Sequence, residues 1–291
     1  MQTPADQPLR AALWMTGAIA SFLLMAVAGR AVQVEMNTFA LMFWRSLIGL
    51  VIVLLVWRMA GLGTRALRPA SPGTHAIRHI VHFSGQNLWF WGLTAIPLAQ
   101  LVALEFTSPI WVVLLAPLLL GESFTRRKFA VALIGFCGIL IVARPGLEPL
   151  GPGHMAGLGA ALCFALHTML TRRLMRDNTV ICVLFWMTLS QMLMSLPLGL
   201  WTGMSWPSAA LWPWLLALGV TGLSAHYCLT SALNVASASV VAPMEFIRLP
   251  LIAMVGMLVY AEALDPLVFL GAAVIFAANM LNARGPRTAR A

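Results

Sequence analysis

Glu245 and Arg248 stand three residues apart in VAPMEFIRLPLIAMV (241–255), a run otherwise without charge that also holds Pro243 and Pro250. On an unbroken helix this spacing puts a carboxylate and a guanidinium on one side. There they either neutralise each other and fix helix packing, or receive the ammonium and carboxylate ends of a small zwitterion. Arg45, His82, Gln86, Glu105, His167 and His226 lie in equally apolar surroundings. A polar or charged group in such a run is costly unless it faces a partner or a water-filled cavity, so each is a candidate substrate contact. Arg45 and Glu105 fall at similar depth, about a third of the way along their segments, which predicts a pair between them. His82, Gln86 and Trp89 share one helical face at i, i+4 and i+7, and Trp44, Trp89 and Trp186 could wall an aromatic cavity or anchor at a lipid interface. The prolines at 109, 117, 243 and 250 free backbone carbonyls, which is tolerable where the chain lines a polar cavity.

His75, His79 and His82 repeat at a spacing that could hold a metal, but no carboxylate accompanies them, so no metal and no cofactor are expected. There is no Gly-x-Ser-x-Gly, no His-Glu-x-x-His and no aspartate pair within an apolar run, which argues against an enzyme. The four cysteines lie in apolar runs without CxxC spacing and read as small packing residues.

The elements that position these residues follow from composition. Of 291 residues 60% are hydrophobic and 9% charged, with a mean hydropathy of +0.89, whereas a soluble domain carries roughly a quarter charged. Ten apolar segments are predicted, at 12–28, 37–57, 79–96, 98–120, 129–143, 155–171, 179–200, 212–233, 237–260 and 266–281, each near bilayer-spanning length. The first resembles a secretory signal around Ala26–Ala28, but an uncleaved span is preferred because the repeat described next needs a helix there. With the N-terminus inside, Arg10, Arg58, Arg65, Arg68, Arg78, Arg126, Arg127, Lys128, Arg172, Arg173, Arg176, Arg284, Arg287 and Arg290 all fall on the cytoplasmic side, against Arg30 and Arg144 opposite. The net charge of +9 is therefore topological, with both termini cytoplasmic and no nucleic-acid partner implied.

Sliding the chain by 140 residues lays Leu104-Glu105-Phe106 on Met244-Glu245-Phe246 and Glu122 on Glu262, and a shift of 142 lays Phe43-Trp44 on Phe185-Trp186. Two copies of five spans, an odd number, must sit inverted in the membrane. The fold class predicted is thus an all-α polytopic membrane protein with ten transmembrane helices in two inverted five-helix repeats, residues 1–147 and 148–291. Glu122 and Glu262 then mark equivalent helix ends on opposite faces, and Gly135, Gly138, Gly219, Gly222 and Gly271 read as close helix crossings.

FWRS (43–46), PLAQLVALEFTSPIWVVLLAPLLLGE (97–122) and ASASVVAPMEFIRLPLIAMVGMLVYAE (236–262) together resemble the drug/metabolite transporter superfamily, specifically its ten-helix EamA-type members, over nearly the whole chain. The resemblance implies an inner-membrane secondary transporter working by alternating access. The first four helices of each half would surround a cavity, and the cargo would be amino acids, including aromatic and apolar ones, moved outward. Two positions depart from the pattern: Glu105, where a small or apolar residue is usual, and Ala261, where a Gly precedes the second-half Glu. A carrier of S-adenosylmethionine or a drug-like cation is the alternative, with a channel or intramembrane enzyme less favoured. The expected partners are a small-molecule substrate and membrane lipid, and the chain is read as a monomer.

Overall fold

Prolines at 8, 72, 152 and 266 open four of the described helices and Pro213 is the second residue of another, positions where the missing N–H lacks an intrahelical acceptor in any case. Asn37, Thr125 and Thr179 begin three others by accepting the N–H of the residue three positions on. The computed structural model describes residues 7–120, 125–144, 151–236 and 238–283. In chain order these form α1 (Pro8–Val32), α2 (Thr38–Met59), α3 (Pro72–Ala95), α4 (Leu98–Glu105), α5 (Ser108–Leu120), α6 (Arg126–Ala143), α7 (Pro152–Leu174), α8 (Val180–Trp201), α9 (Trp212–Val235), α10 (Ala238–Phe246), α11 (Arg248–Tyr260) and α12 (Pro266–Ala283). Short 3-10 turns lie at Thr64–Leu67 and Ala209–Leu211, and no strand occurs among the described residues. Glu122 and the arginines at 284, 287 and 290 lie outside them, as do the side chains at 172 and 243.

Among the described residues six stretches are long and apolar enough to cross a bilayer: Pro8–Val32, Thr38–Met59, Leu98–Leu115, Pro152–Thr171, Val180–Trp201 and Ala209–Leu233. The chain is an all-α polytopic membrane protein. Many of its large exposed side chains, such as Leu55, Leu118, Leu216 and Leu258, are apolar, while Arg45, Arg78, His79, His82, Gln86, Gln191 and Arg248 are buried. That is the inverse of a soluble domain and the pattern expected in lipid. α1 continues through Ala26 and Ala28, which are buried in the bundle.

The fourth and ninth expected segments need separate treatment. The ninth is interrupted at Ile247 and the fourth at Phe106–Thr107, so each region is two helices instead of one. Pro250 and Pro109 explain the positions: a proline ring collides with the carbonyl four residues earlier, here Phe246, the last residue of α10, and Glu105, the last of α4. Pro117 in α5 and Pro197 in α8 are accommodated without a break.

Packing follows the repeat. α1 lies against α9 as α7 lies against α3, while α2 meets α8, α4 meets α11, and α6 meets α12. Exchanging the two halves leaves the α1–α9 and α3–α7, α2–α8 and α6–α12 contacts unchanged, as two repeats require, whereas the α4–α11 contact is much closer than its α5–α10 mate. α6 and α12 cross most closely at Gly138 and Gly271, where a Cβ on either would stand 2.8 to 2.9 Å from the other's carbonyl oxygen.

Candidate functional site

The two helix breaks face each other in the middle of the bundle. Phe106 and Phe246, mates in the repeat, stack there with ring centroids 5.5 Å apart and planes at 26°. Arg248, the first residue of α11, crosses to α4 and donates to Glu105 Oε1 at 2.8 Å, with side chains 3% and 16% exposed. Glu105 Oε2 accepts the indole N–H of Trp89 at 2.9 Å. The Arg248 guanidinium lies over Phe22 at 4.6 Å and Phe106 at 4.9 Å, a cation held between aromatic faces and one carboxylate. Asn279 donates to the carbonyl of Phe106, which the break has freed from the helix ladder.

One expected pair is thereby corrected, and one of two open alternatives is not realised. Glu105 takes Arg248 and not Arg45, because the α4–α11 contact places them opposite each other. Arg248 does not pair with Glu245, because the break at Ile247 separates the two onto different helices, and Glu245 has no hydrogen bond or ion pair among the described residues.

A second polar cluster lies between the helix breaks and the end of the bundle carrying the α2–α3 and α7–α8 connections, the basic end. α3 begins seven residues before the predicted span at 79, so His75 and Arg78 are buried in the bundle, and Arg78 is no loop charge. Arg78 donates through Nε to Thr171 at 3.1 Å, through one terminal nitrogen to His79 at 3.0 Å and through the other to His167 at 2.7 Å. His79 joins His75 at 3.2 Å, and His75 joins Asn178 at 3.2 Å. His82 stacks on His167 at 4.1 Å, meets His226 edge-on at 6.0 Å and accepts from Gln191 at 3.0 Å. Arg45 donates to Gln86 at 2.6 Å. One face of α3 thus carries His75, Arg78, His79, His82, Gln86 and Trp89 from the basic end to the Glu105–Arg248 pair.

Trp44 and Trp186 lie elsewhere. Trp44 packs edge-on against Phe43, Trp206 and Trp212 at the opposite end, and Trp186 donates its indole N–H to Leu67 at 2.8 Å, holding a 3-10 turn. Arg78, Gln191 and the aromatic residues Phe22, Phe106 and Phe246 were not singled out. The signal for Arg78 was its spacing of four before His82.

At the opposite end Arg30 pairs with Glu262 at 2.5 Å, lies over Tyr260 and bonds the carbonyls of Leu93 and Ile96. The other oxygen of Glu262 accepts the N–H of Leu98 at 2.9 Å, capping α4. Glu262 is thus an end-of-helix tie. Arg144 pairs with Asp265 nearby, and a cavity of about 420 Å³ lined by Gln100, His154 and Glu262 opens beside them.

The description of the EamA-like transporter family matches residues 9–144 and again 151–284. A riboflavin transporter of Brucella anthropi is 30% identical over 243 residues, covering 82% of this chain and 85% of its own. A riboflavin transporter of Rhizobium johnstonii is 28% identical over 285 residues, 96% and 94%. An S-adenosylmethionine uptake transporter of Rickettsia felis is 25% identical over 276 residues, 92% of each. A solved crystal structure superposes with a TM-score of 0.65 at 20% identity, covering 93% of this chain and 96% of that one, which concerns the fold alone. With both halves matched in turn, the chain belongs to the EamA-like transporter family and is a membrane transporter.

Proposed function

We propose that the chain is a secondary carrier of a small metabolite bearing a flat heterocycle, of the riboflavin or S-adenosylmethionine class, held at the midplane and passed by alternating access. The observation that supports this best is the arrangement at the helix breaks: the stacked Phe106 and Phe246 beside the Arg248–Glu105 pair offer ring faces and directed polar groups together. Relatives named for riboflavin and S-adenosylmethionine carry the same implication, since both compounds join a ring system to polar appendages. Amino acids, the class the family resemblance implies, serve as the comparison cargo. Uptake replaces the export expected from that resemblance, following the name of the S-adenosylmethionine relatives. In this reading residues 1–147 and 148–291 rock against each other in a bacterial inner membrane with both termini cytoplasmic. The substrate contacts proposed are Trp89, Glu105, Glu245 and Arg248 at the midplane, with Arg45, His82, Gln86, His167 and His226 in the adjoining polar cluster.

The test is uptake of labelled riboflavin, S-adenosylmethionine and phenylalanine into proteoliposomes. Saturable flux of one of the ring-bearing pair, reduced at least tenfold in Arg248→Ala that still elutes as folded protein, is expected. Flux of phenylalanine alone, or flux indifferent to Arg248→Ala, would overturn the reading.

A further inference from the structure

Arg45 and Arg78 put two guanidinium groups into the core, and no described Asp or Glu forms an ion pair with either. The histidines around them supply no negative charge. Arg78 has only donors, so the His79 and His167 nitrogens it reaches must be acceptors and both rings neutral. His79 then donates to His75, and His75 to Asn178, in one direction toward the basic end. Arg78 is internally satisfied through Nε and both terminal nitrogens.

Arg45 differs. It is 5% exposed and bonds Gln86, yet its Nε is buried without any acceptor. The guanidinium occupies space left by Gly222 on α9, where a Cβ would stand 2.5 Å from a terminal nitrogen. His226 follows one turn later on α9, and His82 precedes Gln86 by one turn on α3, so two more ring edges border the same place. A buried cation with an open donor and no counter-charge is costly to hold in an apolar core, and an arriving anion removes that cost.

We infer that this place is a subsite for an anionic group of the cargo, a carboxylate or a phosphate, received by Arg45 between α2, α3 and α9, with Arg78 adding to the attraction from behind. The inference rests on the carrier reading and deepens it by naming a charge class. Arg248 also has a buried Nε without an acceptor, but its charge is already met by Glu105, so Arg45 is the one of the two that combines an open donor with no carboxylate partner among the described residues.

The test has one arm that needs no knowledge of the cargo. Detergent-purified full-length protein is heated in inorganic phosphate, in acetate and in sodium chloride at matched ionic strength and pH. The unfolding midpoint is expected to rise by about 3 °C or more in phosphate or acetate over chloride, and the rise is expected to vanish in Arg45→Gln. Whichever ion acts identifies the anion. No rise over chloride in the wild type, or a rise retained in Arg45→Gln, overturns the subsite. If Arg45→Gln does not fold, transport competition in the wild type decides: riboflavin 5′-phosphate against riboflavin, and S-adenosylmethionine against its decarboxylated form. The anion-bearing member is expected to compete at least tenfold better in one pair, and equal competition within both pairs overturns the inference. Absence of flux for every ring-bearing cargo defeats the substrate class alone, since the thermal arm reads the anion site without it.

Discussion

Removing either member of the Arg248–Glu105 pair leaves the other as a lone charge in an apolar core. Loss of one partner of a buried pair costs about 3–5 kcal/mol. Arg248→Ala and Glu105→Ala are each expected to lower the midpoint of unfolding sharply, and the double variant to recover much of the loss. A double-mutant cycle in thermal or denaturant unfolding measures this, and additive losses would show the contact to be energetically idle. At this scale the sequence disclosed which polar residues lie inside the bundle better than whom they meet. Arg45, His82, Gln86, Glu105, His167, His226 and Arg248 were legible because an ionisable or amide group in an apolar run needs an explanation. Their partners were not legible, because pairing across helices depends on rotation and crossing that one helix's spacing does not encode. Tryptophan was the least informative: Trp89 donates into the midplane pair, whereas Trp44 and Trp186 serve packing and a loop.

Pro109 and Pro250 set the two helix breaks, and the breaks bring Phe106, Phe246 and Arg248 together. Pro109→Ala and Pro250→Ala each restore a backbone donor and remove a ring clash, so the half-helices are expected to join more continuously. The expected outcome is transport reduced severalfold with thermal stability equal to or above the wild type. Wild-type flux in both variants would show that the breaks are packing features without a role in movement. The prolines and their residue type were visible in the sequence. The split itself followed only with the carbonyl four residues earlier considered, which places both interruptions at the ends of α4 and α10. The start of α3 was misjudged for a related reason: hydropathy discounts His75 and Arg78, although both continue the stripe of His79 and His82. A helix whose buried face is polar is poorly found by an apolarity criterion.

Across the whole molecule, the repeat was the most dependable message of the sequence, and the exchange symmetry of the α1–α9 and α3–α7, α2–α8 and α6–α12 contacts follows from it. Arg30, Glu262 and the α4 N-terminus tie α1, α4 and α11 together at the end opposite the basic one. Arg30→Ala or Glu262→Gln is expected to loosen that end and raise the labelling rate of a cysteine placed at Gln100 by a membrane-impermeant maleimide several-fold. An unchanged rate would remove the tie from any part in opening. Under a pseudo-twofold exchange of the halves, the Phe106–Phe246 contact maps onto itself, because its two members are each other's mates. The aromatic stack therefore has the geometry of a fulcrum, with the half-helices as lever arms on either side. α5 has 13 residues, an arm of roughly 20 Å at 1.5 Å per residue. A tilt of about ten degrees about the stack would carry its far end some ~3.5 Å, close to the width of a water molecule, with the aromatic contact at the centre intact.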